Sequence, residues 1–91
     1  MIFNPLPLEG AFEVLLEPRR DERGFFSRFY CEDEFTQHGL NTTWTQMNLS
    51  FTHEIGSLRG LHFQTPPHAQ AKLVRCGRGA QWDVAVDIRE G

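Results

Sequence analysis

Between residues 43 and 52 hydrophobic and polar positions alternate, with Trp44, Gln46, Asn48 and Ser50 on one side of an extended chain and Met47, Leu49 and Phe51 on the other. The same period returns at residues 81–89, where Trp82, Val84, Val86 and Ile88 oppose Asp83, Ala85 and Asp87, the pattern of a half-buried antiparallel strand. Residues 57–64 and 70–76 read as two further strands. Pro66 and Pro67 stop the first of them because proline fixes φ and offers no backbone donor, and Gly77-Arg78-Gly79 turns the chain after the second. Earlier, residues 11–17 form an apolar run ended by Pro18, and residues 24–30 are rich in aromatics. Both read as strands around the charged turn Arg19-Arg20-Asp21-Glu22-Arg23, either as a hairpin or lying apart. One short helix is expected over residues 31–38, which carry acidic residues early and Gly39 just after the end.

Many short strands at close spacing predict an all-β domain over residues 1–91, a sandwich or jelly roll. The last patterned strand ends near the C-terminus, and its hydrogen-bonding groups call for a neighbour. The expectation is a shortened polypeptide or an obligate partner covering that strand.

Composition narrows the function classes. With 91 residues the chain holds one small core, burying about two-thirds of the surface its unfolded form exposes. Nine basic against twelve acidic residues give a formal charge of -3, with no basic block suited to nucleic acid or an anionic membrane. No apolar run approaches the roughly 20 residues needed to cross a bilayer, and a soluble cytoplasmic protein is expected. Cys31 and Cys76 lie outside any CxxC spacing and read as buried free thiols.

The candidate chemistry centres on Leu58-Arg59-Gly60-Leu61-His62-Phe63-Gln64. In an ideal strand His62 shares its side with Leu58, Gly60 and Gln64, and Gly60 leaves room for a ligand or another backbone. Lys72 follows on the next strand, which pairs a base with a cation. A two-residue turn at Gly77-Arg78 sets Asp83 across from Lys72, whereas a three-residue turn takes it out of register. The polar side of residues 43–52 faces either solvent or a polar ligand inside a barrel. His38, His53 and His68 read as surface residues.

These residues resemble the nucleotide-sugar 3,5-epimerase family, typified by dTDP-4-dehydrorhamnose 3,5-epimerase. The resemblance runs through Asp21-Glu22-Arg23-Gly24-Phe25-Phe26, Gln46 and Asn48 with Ser50, residues 58–64 with Pro66-Pro67 and Ala69-Gln70, Lys72-Leu73-Val74-Arg75, and Asp83-Val84-Ala85-Val86-Asp87-Ile88-Arg89. It covers essentially the whole chain and the N-terminal half of a typical member. It implies a cupin-type jelly roll, usually dimeric, without metal or organic cofactor, that inverts C3 and C5 of a 4-keto-6-deoxy hexose on a nucleoside diphosphate. By the same resemblance His62 is the base and Lys72 the cation near the keto oxygen. Arg23 and Arg59 contact the diphosphate and sugar, Gln46 and Asn48 contact the nucleotide or sugar, and Phe26 lies near the nucleobase. Asp83 is a neighbour that could hold Lys72.

Two departures stand out. Where the family usually carries a substrate-contacting glutamate two residues after Phe26, this chain has Arg28. The family's acid tyrosine, the carboxylate that orients its base and a second substrate-contacting histidine match no residue here, and Tyr30, the only tyrosine, stands elsewhere. The alternative expectation is therefore a catalytically incompetent module that binds nucleotide sugars or assembles with another chain. A metal-dependent cupin would show an HxH pair, but Phe63 and Gln64 follow His62.

Overall fold

The structure is a computed structural model that describes residues 1–90. Its elements are β1 (Ile2–Pro5), β2 (Phe12–Leu15), β3 (Arg19–Asp21), β4 (Gly24–Phe26) and α1 (Glu32–Gln37). The strands form two antiparallel pairs, β1 with β2 and β3 with β4. One compact unit comprises Met1–Thr43 with the segment from Ala85, and a second comprises Trp44–Val84.

The first pair is set by alternation. Phe12 and Val14 turn inward along β2 while Glu13 and Leu15 are exposed, and Phe3 on β1 sits opposite Val14. Asn4 lies opposite Glu13 and donates its side-chain amide to that carboxylate at 3.3 Å. Pro5 closes β1, a place where its missing N–H costs no interior ladder bond. Two backbone bonds, Leu6 to Ala11 at 2.9 Å and Ala11 to Leu8 at 3.1 Å, fold the connection back on itself.

In the second pair Asp21 faces Gly24 across a two-residue loop, Glu22 and Arg23. The Asp21 carboxylate accepts both the backbone N–H and the guanidinium of Arg23, each at 2.8 Å, which ties the turn together. Arg20 and Phe25 are cross-strand partners, with the guanidinium 5.4 Å from the ring centroid. Such an exposed cation–π contact is worth about 0.5–1 kcal/mol.

A helix of six residues is too short to persist alone, so its end and its buried side chain matter more than propensity. Glu32, Asp33 and Glu34 place negative charge at the first turn, complementing the helix dipole. At the other end Gly39 adopts φ +68°. Its N–H reaches the Thr36 carbonyl at 3.0 Å and that of Leu40 reaches Phe35 at 3.0 Å, a Schellman closure. Phe35 is the buried hydrophobic side chain, 2% exposed. Its ring meets Phe3 edge-on at 5.4 Å and Tyr30 at 4.7 Å, and His38 stacks on Phe3 at 4.0 Å. Each aromatic pair adds about 0.5–1.5 kcal/mol beyond area burial.

Ion pairs surround this cluster. Glu34 accepts from the Met1 amino group at 3.1 Å and from Arg28 at 3.2 Å, while Glu17 stands 3.6 Å from Met1. The Met1 hydrogen bond, then that of Arg28, holds the Glu34 carboxyl below its ordinary 4.5. Near the C-terminal end Arg89 clasps Asp87, whose carboxyl falls to about 2, and donates to the Glu9 carbonyl at 2.7 Å.

The structure corrects several expectations. Of the two arrangements open for residues 11–17 and 24–30, they lie apart: β2 pairs with β1, a strand the sequence pattern did not indicate, and β4 pairs with β3, drawn from the expected charged turn. The strand expected over residues 24–30 stops at Phe26. Among the described residues no helix or strand follows α1, so the expected strands at 43–52, 57–64, 70–76 and 81–89 do not form here. Their alternation encodes a buried side, yet Leu49 is 99% and Trp82 91% exposed. Without a surface to cover that side and an edge to satisfy the backbone, the pattern alone does not make a strand. Both cysteines are free, but neither is buried: Cys31 is half-buried and Cys76 exposed. No helix among the described residues is long and apolar enough to cross a membrane.

Two predictions follow from the N-terminal unit. Phe35→Ala removes about 3–5 kcal/mol by leaving a cavity, and the helical circular-dichroism signal of the chain falls, whereas Phe35→Leu retains most of it. Because the Glu34 carboxyl is depressed, its contribution is present above about pH 4.5 and is lost as pH falls through its lowered value. The Met1 amine is raised from 8.0, so its share is complete below that pH and is lost as pH rises through the raised value. Glu34→Gln therefore lowers the urea midpoint at pH 7, and the gap from the parent protein closes toward pH 2 and narrows on the alkaline side.

Candidate functional site

In the N-terminal unit the hairpin of β3 and β4 positions two of the expected site residues. Arg23 sits in its loop, folded back on Asp21, whose carboxyl is held below the usual range chiefly by the Arg23 guanidinium. Phe26 ends β4 and is 78% exposed. With Ser27, Arg28, Phe29 and Tyr30 it lines a solvent-open, largely apolar hollow of about 440 Å³.

Arg28 flanks the same hollow and donates to Glu34 at 3.2 Å. The charge reversal at this position is therefore answered within the chain by a carboxylate six residues on. The acidic first turn of α1 was legible in the sequence, but its partner across the strand exit was not. Tyr30 donates to the Thr42 carbonyl at 3.4 Å and packs its ring on Phe35, which gives it a structural task.

The second unit carries Gln46, Asn48, Arg59, His62, Lys72 and Asp83, all exposed. Arg59 donates to the Thr52 hydroxyl at 2.9 Å. Gly60 has φ +104°, and a Cβ there would stand 3.6 Å from His62 Nδ1. That contact distance is ordinary, so it is the positive φ, a conformation that L side chains rarely adopt, that favours glycine at this position. Asp83 accepts from the Gln81 amide, 2.9 Å to each carboxylate oxygen. The expected register of Asp83 opposite Lys72 is not formed, because the ladder that would create it is absent. Among the described residues no hydrogen bond or ion pair joins His62 to Lys72, and no group of three or more His, Cys, Asp or Glu residues is placed to hold a metal ion.

His53 and His68 are exposed, as is His38 apart from its stacking on Phe3. Trp44 is unusual in the second unit, since its indole Nε1 is buried without a hydrogen-bond partner.

The family model described as dTDP-4-dehydrorhamnose 3,5-epimerase matches residues 5–91. A dTDP-4-dehydrorhamnose 3,5-epimerase of Sinorhizobium fredii is 49% identical over 93 residues, covering 100% of this chain and 47% of that protein. A dTDP-4-dehydrorhamnose 3-epimerase of Streptomyces niveus is 44% identical and covers 100% of this chain and 44% of its own length. A 3,5-epimerase of Mycolicibacterium smegmatis is 41% identical, with 100% and 45% covered. No solved structure matches the chain. The chain spans about half the length of the curated relatives it matches. On the family match and these identities, the chain belongs to the dTDP-4-dehydrorhamnose 3,5-epimerase family and corresponds to the N-terminal half of its members.

Proposed function

We propose that this chain carries the base-bearing half of an epimerase site acting on a dTDP-4-keto-6-deoxy hexose, within a cupin-type jelly roll that assembles as a homodimer or with a partner chain. The observation that carries the proposal is the family match over residues 5–91, which includes every residue of the proposed site. In this reading His62 removes a proton from the carbon next to the C4 ketone, and the bond's electron pair moves onto the keto oxygen as an enolate. Histidine is the side chain most often used as a general base. Lys72 stabilises the enolate oxygen by its positive charge, and Asp83 steadies that ammonium once the strands pair.

Arg23 and Arg59 bind the diphosphate and sugar through their forked donors. Gln46 and Asn48 contact the nucleotide or sugar, and exposed Phe26 offers its ring to the nucleobase. Inversion requires an acid that returns the proton to the opposite face. No metal or organic cofactor enters the reaction, and the setting is a cytoplasmic deoxysugar pathway.

A second reading, a binding or assembly module without turnover, is favoured by Tyr30. The only tyrosine is engaged with Thr42 and Phe35, so it is an unsuitable acid. Solvent-deuterium incorporation into dTDP-4-keto-6-deoxyglucose separates the two. The proposal predicts exchange at C3, C5 or both, reduced about 10²–10⁴-fold in His62→Ala and about 10²–10³-fold in Lys72→Met. Exchange without inversion identifies a working base lacking its acid. Saturable binding with no exchange selects the binding module and overturns the catalytic reading.

A further inference from the structure

Arg28 is the charged residue in the lining of the aromatic hollow at Phe26, within the N-terminal unit. The polar side chains beside it are spent inside the chain: the Ser27 hydroxyl donates to the Arg28 carbonyl at 3.1 Å, and the Tyr30 hydroxyl to the Thr42 carbonyl at 3.4 Å. Arg28 is spent only in part. One terminal nitrogen of its guanidinium donates to Glu34 at 3.2 Å, while the side chain remains 63% exposed. A guanidinium has donors and no acceptor, so a ligand entering the hollow meets a donor that a carboxylate holds in place. We propose that Arg28 determines specificity here, donating to a ring carbonyl of a nucleobase seated on Phe26 and so selecting an oxo-substituted base over an amino-substituted one.

Two features favour the base over the phosphates as the partner of Arg28. Arg23, the proposed diphosphate ligand, lies in the loop before β4 and Phe26 ends that strand, so about 10 Å of extended chain separates the two. Arg28 lies beyond Phe26, away from Arg23 along the chain, and shares the hollow with the Phe26 ring. In addition, the Glu34 carboxylate beside the guanidinium offsets its attraction for an anionic diphosphate but leaves its remaining N–H groups available to a neutral carbonyl. The glutamate usual at this position in the family can only accept when ionised, whereas Arg28 can only donate. The hydrogen-bonding sense of the wall is thereby reversed. A carbonyl is taken and an exocyclic amino group, itself a donor, is turned away. Thymine carries a carbonyl where cytosine carries an amino group, which makes dTDP and dCDP the discriminating pair.

This role for Arg28 rests on the proposed nucleotide-sugar function, in which Phe26 meets the nucleobase, and not on catalysis by His62. Calorimetric titration of the 91-residue chain with dTDP and with dCDP tests it. The parent protein should bind dTDP at least about tenfold more tightly than dCDP, within the range of one hydrogen bond to a charged donor. Arg28→Ala should abolish that preference by weakening dTDP and not dCDP. Glu34→Gln separates recognition from folding, because it breaks the same ion pair yet keeps the guanidinium, and the preference for dTDP should persist in it. Equal affinity of the parent for the two nucleotides overturns the proposal, as does binding of neither or a preference that survives Arg28→Ala. Equal weakening of both nucleotides by Arg28→Ala overturns it in favour of a phosphate contact or a purely structural ion pair. An Arg28-dependent preference without deuterium exchange into the sugar leaves the specificity role standing while the catalytic reading fails, and exchange without that preference does the reverse.

Discussion

A β-strand directs its backbone N–H and C=O groups sideways, and these must meet another strand or remain in water. That constraint divides this chain. Where two short segments can pair locally, as β1 with β2 and β3 with β4, strands form within a few residues of each other. Each pair then acquires its own cross-strand contact, Asn4 with Glu13 in one and Arg20 with Phe25 in the other. Beyond Thr43 the apolar alternation continues, but no described segment pairs, and large side chains such as Leu49 and Trp82 remain in solvent. A two-stranded ribbon is marginal by itself, so the N-terminal pairs also need Phe35, whose ring joins Phe3 and Tyr30 beneath a six-residue helix.

The same division governs the candidate site. Arg23 and Phe26 belong to a hairpin whose loop is fixed by Asp21, so their backbone positions are specified locally. His62, Lys72 and Asp83 lie on segments whose mutual register only a completed sheet would define. Asp83 binds Gln81, two residues away, and Arg59 binds Thr52: both are short-range contacts of an unpaired chain. A base and its cation acquire catalytic geometry only when the strands that carry them are held within fractions of an ångström, and preorganisation of that kind comes from the supporting shell.

The helix, its early acidic residues and Gly39 were readable because capping is local chemistry written in adjacent positions. β1 was missed because Pro5 and Pro7 disguise a strand that proline merely ends. The charged run at Arg19 read as a turn, although Arg20 packs over Phe25 and its neighbours extend. The later strands were legible as pattern, but pattern encodes the side to be covered without supplying the cover. Family membership was legible from the motif around His62. The pairing of Arg28 with Glu34 was not, since it depends on the path of the chain from β4 into α1.

Residue-resolved hydrogen exchange on the 91-residue chain tests this division most directly. The account predicts slow exchange at the paired amides of β1 and β2 and at the helix-closing amides of Gly39 and Leu40, with residues 44–84 exchanging near the rate of an unstructured chain. Protection across residues 57–64 and 70–76 equal to that of β1 and β2, in the chain by itself, would contradict it.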